Sequence, residues 1–219
     1  TRADAVLARF GPGGGARVWS AREDSGGDTD FAAVAEDAAG NVVVGGAGSD
    51  DALLAKYDRS GALAWTREPR DPGGCALGFG GLAYGGGVAY AALDAVNPAN
   101  GTGAARVAGY DAAGNQVYAA LFDRIPDTVA GPLAADGAGG VYLAGSFASS
   151  TTLEDELYLA RFDSAGALSW VRTLSFAIHD RPAALVLDAT GPAVLEAYPA
   201  SGGVGDERYA LLRFDAMAS

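Results

Sequence analysis

The sequence repeats itself. The segment Asp51–Gly61 (DALLAKYDRSG) returns as Glu156–Gly166 (ELYLARFDSAG), and a tryptophan follows each copy, Trp65 or Trp170. Weaker copies begin at Ala3, Ala104 and Glu207. The aromatic near the end of each copy recurs as Tyr57, Tyr110, Phe162 and Phe214, a step of about fifty residues and close to the period of propeller blades. Such a unit cannot bury its apolar face alone, so the copies must stack on one another to build a core. The 219 residues are read as one domain of units 3–50, 51–103, 104–155 and 156–206, with a partial unit 207–219.

Within a unit, short apolar runs alternate with turn signals. Phe31–Glu36, Val42–Gly46, Ala52–Tyr57 and Leu63–Arg67 are of strand length, and Asp37–Gly40 and Asp58–Gly61 punctuate them as D-x-x-G. Asp accepts hydrogen bonds from amides two or three residues on, and Gly supplies the positive φ that closes a hairpin with a bulge. Asp111–Gly114, Asp136–Gly139, Asp163–Gly166 and Asp188–Gly191 repeat this chemistry. The pattern predicts four strand types. Type A lies near Phe31–Glu36, Gly78–Tyr84, Val129–Ala135 and Ala183–Leu187. Type B lies near Val42–Gly46, Val88–Leu93, Val141–Gly145 and Ala193–Tyr198. Type C lies near Ala5–Phe10, Ala52–Tyr57, Arg106–Tyr110, Leu157–Phe162 and Tyr209–Phe214. Type D carries Trp19, Trp65, Tyr118 and Trp170. With 33 glycines and no sustained apolar stripe at helical spacing, the chain reads as all-β. The expected fold is a β-propeller of four-stranded antiparallel blades, four or five in number.

The strands run C-D, then A-B-C-D three times, then A-B-C, which leaves a surplus C strand. The chain is therefore cut from a longer array, closes as a four-bladed ring with a five-stranded final blade, or pairs its surplus strand with a neighbouring molecule. Leu7 and Phe10 mark one terminal C strand, and Tyr209, Leu211 and Phe214 the other. A free apolar strand edge invites pairing.

Composition excludes several functions. The net charge is −12 and Lys56 is the only lysine, so no basic stripe exists to neutralise phosphates, and neither nucleic acid nor anionic lipid is an expected partner. No apolar run approaches the roughly 18 residues of a transmembrane helix. Cys75 is the only cysteine and His179 the only histidine, which argues against a disulfide and a zinc site. Thr1 stands where an initiator methionine would, as in a processed form or an excised fragment whose export signal has been removed. Gly78–Ala83 matches a relaxed dinucleotide fingerprint but opens no helix, so the match is accidental.

Antiparallel order puts the tight A–B and C–D hairpins on one side and the unlike D–A and B–C loops on the other. Variable loops on a rigid scaffold are where binding usually resides. Asp28, Asp30, Asp127, His179 and Asp180 are the candidate ligand-binding residues on that face. Asp28, Asp127 and Asp180 could encircle a channel mouth and hold Ca²⁺, whose six to eight oxygen ligands tolerate flexible geometry; the simpler reading is that they begin solvated turns. No other cofactor is implied. His179-Asp180 could be two parts of a nucleophilic triad, yet no G-x-S-x-G elbow accompanies them. Trp19, Trp65, Tyr118 and Trp170 could stack on sugars, but one aromatic at one position in every blade is what blade-to-blade packing needs.

The run DAAGN-VVVGG…DALLAKYDRSGALAWTRE resembles the bacterial β-propeller repeat known as the SBBP repeat. The features that carry the likeness are Asp37–Gly46, Lys56-Tyr57-Asp58 and Trp65, and again Asp136–Gly145, Arg161-Phe162-Asp163 and Trp170. Two units depart from it: Tyr84-Gly85-Gly86-Gly87 replaces one D-x-x-G hairpin, and Pro192 enters a B strand. The resemblance implies a propeller in a secreted or surface-exposed bacterial protein and implies no catalytic residues. The expected function is non-enzymatic binding of a protein or glycan partner through the variable loops. The alternatives are a structural protein assembling by terminal strand exchange and, third, a glycan-active hydrolase or lyase.

Overall fold

A computed structural model describes residues 4–13, 15–23, 28–48, 51–71, 73–97, 100–125, 127–148, 155–175, 181–189, 191–199 and 207–214, with the side chains of 193–199 and 207–210 excepted. Strands β1 (Ala5–Phe10) and β2 (Arg17–Glu23) form a first, two-stranded sheet. The second sheet holds β3 (Asp30–Glu36), β4 (Val42–Ala47), β5 (Ala52–Tyr57) and β6 (Leu63–Arg67). The third holds β7 (Ala76–Gly85), β8 (Val88–Val96), β9 (Gly103–Tyr110) and β10 (Gln116–Phe122). The fourth holds β11 (Thr128–Ala135), β12 (Val141–Ala148), β13 (Asp155–Phe162) and β14 (Leu168–Leu174). A fifth, three-stranded sheet holds β15 (Arg181–Asp188), β16 (Gly191–Pro199) and β17 (Glu207–Arg213). Every sheet is an antiparallel meander, and the three full ones run A-B-C-D as the pattern predicts. The architecture is all-β and blade-based, that of a β-propeller-like array. Among the described residues no helix is long and apolar enough to cross a membrane.

The five-stranded closing blade does not form. Among the described residues β1 pairs with β2 alone and β17 with β16 alone, so the two terminal C strands occupy separate sheets. Each stays with the strand nearest to it in sequence, which costs the least loop-closure entropy.

Five of the expected D-x-x-G hairpins share one geometry, whereas Asp188 and Gly191 pair directly across the β15–β16 hairpin and Gly191 takes φ +129°. Asp58 Oδ1 accepts the amides of Ser60 and Ala62 at 2.8 and 3.0 Å, and Gly61 takes φ +90°. Asp37, Asp111, Asp136 and Asp163 accept amides at the same two offsets. The register shifts at the C–D hairpin between Lys56 and Tyr57 and between Arg161 and Phe162, the bulge that the turn demands. In the third sheet Gly86 and Gly87, both at positive φ, join Gly85 to Val88 through a two-residue turn instead.

The apolar interior is divided into four layers, each lying between consecutive sheets. One holds Leu54, Ala52 and Trp65 of the second sheet against Leu77, Ala91, Leu93 and Tyr110 of the third. The next holds Tyr90, Tyr118 and Phe122 against Leu133, Leu143, Tyr158 and Phe162 of the fourth. The D-strand aromatics bolt these layers. Trp19 Nε1 donates to the Arg59 carbonyl at 3.1 Å, Trp65 Nε1 to Ala112 at 3.2 Å, and the Tyr118 hydroxyl to Asp163 at 3.0 Å. Each of these carbonyls belongs to the C–D hairpin of the following sheet.

The A strands carry a feature the repeat pattern did not announce. Their register against strand B shifts between Phe31 and Ala33, Phe79 and Gly81, Ala130 and Leu133, and Pro182 and Ala184. At this bend successive A strands approach closely, and a Cβ on Gly80 would lie 2.6 Å from the Ala130 carbonyl oxygen. Gly80 and Gly81 of the false dinucleotide fingerprint permit that approach.

Candidate functional site

The side of the array that carries the D–A and B–C loops is the candidate site, and its acids are engaged in joining blades. Asp51, just ahead of β5, accepts the amide of Leu77 in the next sheet's A strand at 2.7 Å. Asp94, in β8, accepts the amide of Ala130 in the following A strand. Asp155, at the start of β13, holds Arg181 of β15 at 3.1 Å. At three successive junctions, a carboxylate near the B–C connection ties the next A strand.

The D–A connections tie in the other direction. Asp127 Oδ1 accepts the Gly103 amide at 3.2 Å, and the buried Thr128 accepts the Ala105 amide through Oγ1 at 3.0 Å. Asp127 is the one described non-glycine residue at positive φ, +57°, a conformation that Asp tolerates better than most side chains. Asp71 is buried, caps its own loop by accepting the Cys75 amide at 3.2 Å, and forms an ion pair with Arg106 of β9. Burial alone would raise the Asp71 pKa, but the Cys75 hydrogen bonds and Arg106 bring it below the usual carboxylate value. The Cys75 thiol is pushed up, first by burial and then by Asp71, and so is held as a thiol.

Two carboxylates are perturbed in opposite directions. Asp94 is pushed up to about 6 by burial, with the Ala130 amide opposing. Asp37, on the hairpin side, would also be raised by burial, but hydrogen bonds from Asn41, Lys56 and Ala39 bring it down to about 2. Lys56 Nζ lies 3.2 Å from Asp37 with both side chains almost fully buried. Arg161 and Asp136 reproduce the pair in the fourth sheet, and Arg213 and Asp188 in the fifth. In the third sheet both partners are lost together. Gly109 opposite Tyr118 takes the place that Lys56 holds opposite Trp65, and the hairpin there carries no Asp. Removing both partners avoids stranding a buried charge.

Of the expected binding residues, Asp28 and Asp30 are exposed where the chain enters β3, and Asp30 pairs with Ala47 at the strand's start. Asp127 is exposed and tied to Gly103. His179 and Asp180 lie outside the described residues. Among the described residues no three His, Cys, Asp or Glu side chains gather as a metal would require, so Asp28 and Asp127 are not assembled into a calcium cage. Of the terminal-strand residues, Leu7 packs inward on the second sheet and Phe214 on the fourth. Phe10 and Leu211 point outward, and the Tyr209 side chain lies outside the described residues.

The loop side offers open clefts along the junctions between sheets. One of about 310 Å³ is bounded by Ala47, Gly48, Asp51 and Ala76–Phe79, another of about 150 Å³ by Val129–Gly131, Gly145, Ser146, Arg181 and Pro182. Each sets one charged group among small apolar residues. The loop at Asn97–Thr102 is self-supporting: the Asn97 amide donates to Thr102, and Asn100 Oδ1 accepts both the Thr102 amide and its hydroxyl. Sequence reasoning missed Asp51, Asp94, Asp71 and Arg106. For Asp51 a signal existed, since an acid precedes strand C in both strong copies. For the others none did, because the groups they reach across a sheet or loop, Ala130 from Asp94 and Arg106 from Asp71, lie 36 and 35 residues away. No protein-family profile matches the chain, and no curated protein matches it.

Proposed function

We propose that this protein is a non-enzymatic binding module of the bacterial surface or exterior that engages a protein or glycan partner through its D–A and B–C loops. One contrast carries the reading. The hairpin side repeats one Asp-Gly turn at five of its hairpins, whereas three described loop-side connections are each built differently: an Asp71-capped turn, an Asp127 at positive φ, and an Asn97–Thr102 loop tied by Asn100. Regular turns serve the scaffold, and unlike loops on one side of it suit recognition. The exported setting rests on the likeness to SBBP repeats stated above.

A glycan array and a panel of purified bacterial surface proteins, probed with the labelled chain, test the reading. Binding is expected, and it should be lost when residues 97–102 are replaced by a two-residue Asn-Gly turn. Absence of binding, or binding that survives the loop replacement together with an equivalent change at residues 70–75, overturns the loop-face assignment. Product release from a polysaccharide panel overturns the non-enzymatic part.

A further inference from the structure

We propose that copies of this chain stack head to tail, the outer face of the fifth sheet of one copy covering the outer face of the first sheet of the next. The observation is a mismatch in burial at equivalent positions. Register places Phe10 with Tyr57, Tyr110 and Phe162, each at the end of a C strand opposite the same hairpin. Those three are at most 4% exposed because the preceding sheet covers them, yet Phe10 is 59% exposed. Leu211, opposite Leu195 in β16, corresponds to Leu54 opposite Gly45, Val107 opposite Ala92 and Leu159 opposite Ala144. Those three are at most 2% exposed because the following sheet covers them, yet Leu211 is 73% exposed. Val6, also on β1, is 66% exposed and Val186, on β15 in the row of Arg213, is 62% exposed, and they extend the two faces.

The faces differ, and they are complementary. One is the face that a sheet turns to its predecessor and the other the face it turns to its successor, and the chain joins this pair of faces four times within itself. The occupant argued for is therefore a second copy, seated by continuation of an interface the chain already makes. The contact is heterologous, so it propagates into rings or filaments. No strand is exchanged, because β1 and β17 keep the partners they have.

Phe10→Asp and Leu211→Asp test this, since both residues are exposed and neither change disturbs a sheet interior. Wild-type mass by light scattering is expected to rise over a hundredfold concentration range, and each variant is expected to weaken self-association at least tenfold. The decisive measurement mixes the two variants. Each retains one intact face, so an equimolar mixture should form a heterodimer that neither variant forms alone. A wild-type mass that stays monomeric overturns the proposal, as do variants that associate like wild type or a mixture that stays monomeric. Unchanged circular dichroism and melting of the variants would show that folding is not the cause.

Discussion

Asp94 and Asp37 show how position decides what the same side chain contributes. Asp94 has a folded pKa near 6, above the unfolded value of roughly 4, because burial disfavours its charge more than the Ala130 amide favours it. Its contribution to stability is therefore fully present below about pH 4 and is lost as the pH rises through 6. Asp37, with a folded pKa near 2, has the opposite sign: its stabilisation is present above about pH 4 and is lost as the pH falls toward 2. Asp94→Asn keeps an acceptor for Ala130 and removes the charge. Its melting temperature should exceed wild type at pH 8 and converge with it near pH 4. A variant that is less stable than wild type at pH 8 would show that the ionised carboxylate is needed at the junction. The Asp94 shift was not legible in the sequence, since Asp94 stands in an apolar strand whose neighbour across the junction, Ala130, is 36 residues away, whereas the Asp37 turn was read as an acceptor of local amides.

At the level of elements, the hairpin and the D-strand aromatic work as one joint. Gly114 sits at φ +81°, and a Cβ there would lie 2.9 Å from the Trp65 ring and 2.7 Å from Arg67. Gly114→Ala should therefore cost about 1–3 kcal/mol, from backbone strain and from displacing the ring. The same substitution at Gly74, whose φ is +77° with open space around it, should cost only the backbone part, about 1 kcal/mol. Denaturant midpoints of the two variants check the difference, and equal losses would mean that the ring is not held against the turn. Trp65 is 7% exposed, so Trp65→Ala should cost about 3–5 kcal/mol by urea unfolding. An unchanged midpoint would return the ring to the surface and revive the sugar-stacking reading. This joint explains why the strands were legible. Asp, Gly and Trp recur because each junction needs them, and β1 and β5 match the expected Ala5–Phe10 and Ala52–Tyr57 end to end. The A-strand bulges at Ala32 and Ala183 were not legible, because a small side chain carries no distinctive mark, whereas Gly80 and Gly131-Pro132 stand at the other two bends, and Gly or Pro within a strand is a sign of a bulge.

For the whole molecule, the core is a row of layers, and each sheet depends only on its neighbours. Stability in such arrays is close to a sum of sheet terms and nearest-neighbour terms. Asp51, Asp94 and Asp155 were not singled out in sequence because each unit was read by itself, whereas these acids act between units. These ties, the aromatic bolts and the apolar layers coincide at the second–third and third–fourth junctions, and the layers join every consecutive pair of sheets, so inner sheets are held on both faces and the end sheets on one. Val34 makes the point within the second sheet. It is 63% exposed, while its counterpart Leu133 is 5% exposed, because the first sheet lacks the A and B strands that would cover it. Opening should therefore begin at the ends. In native-state hydrogen exchange at low protein concentration, amides of β1–β2 and β15–β17 should exchange at lower opening free energy than those of β8–β9 and β12–β13. Raising the concentration should slow exchange in the end sheets alone, because a second copy would cover only those faces. Uniform protection across all five sheets would instead mean that the array unfolds as a single unit and that the junctions are stronger than the sheets they join.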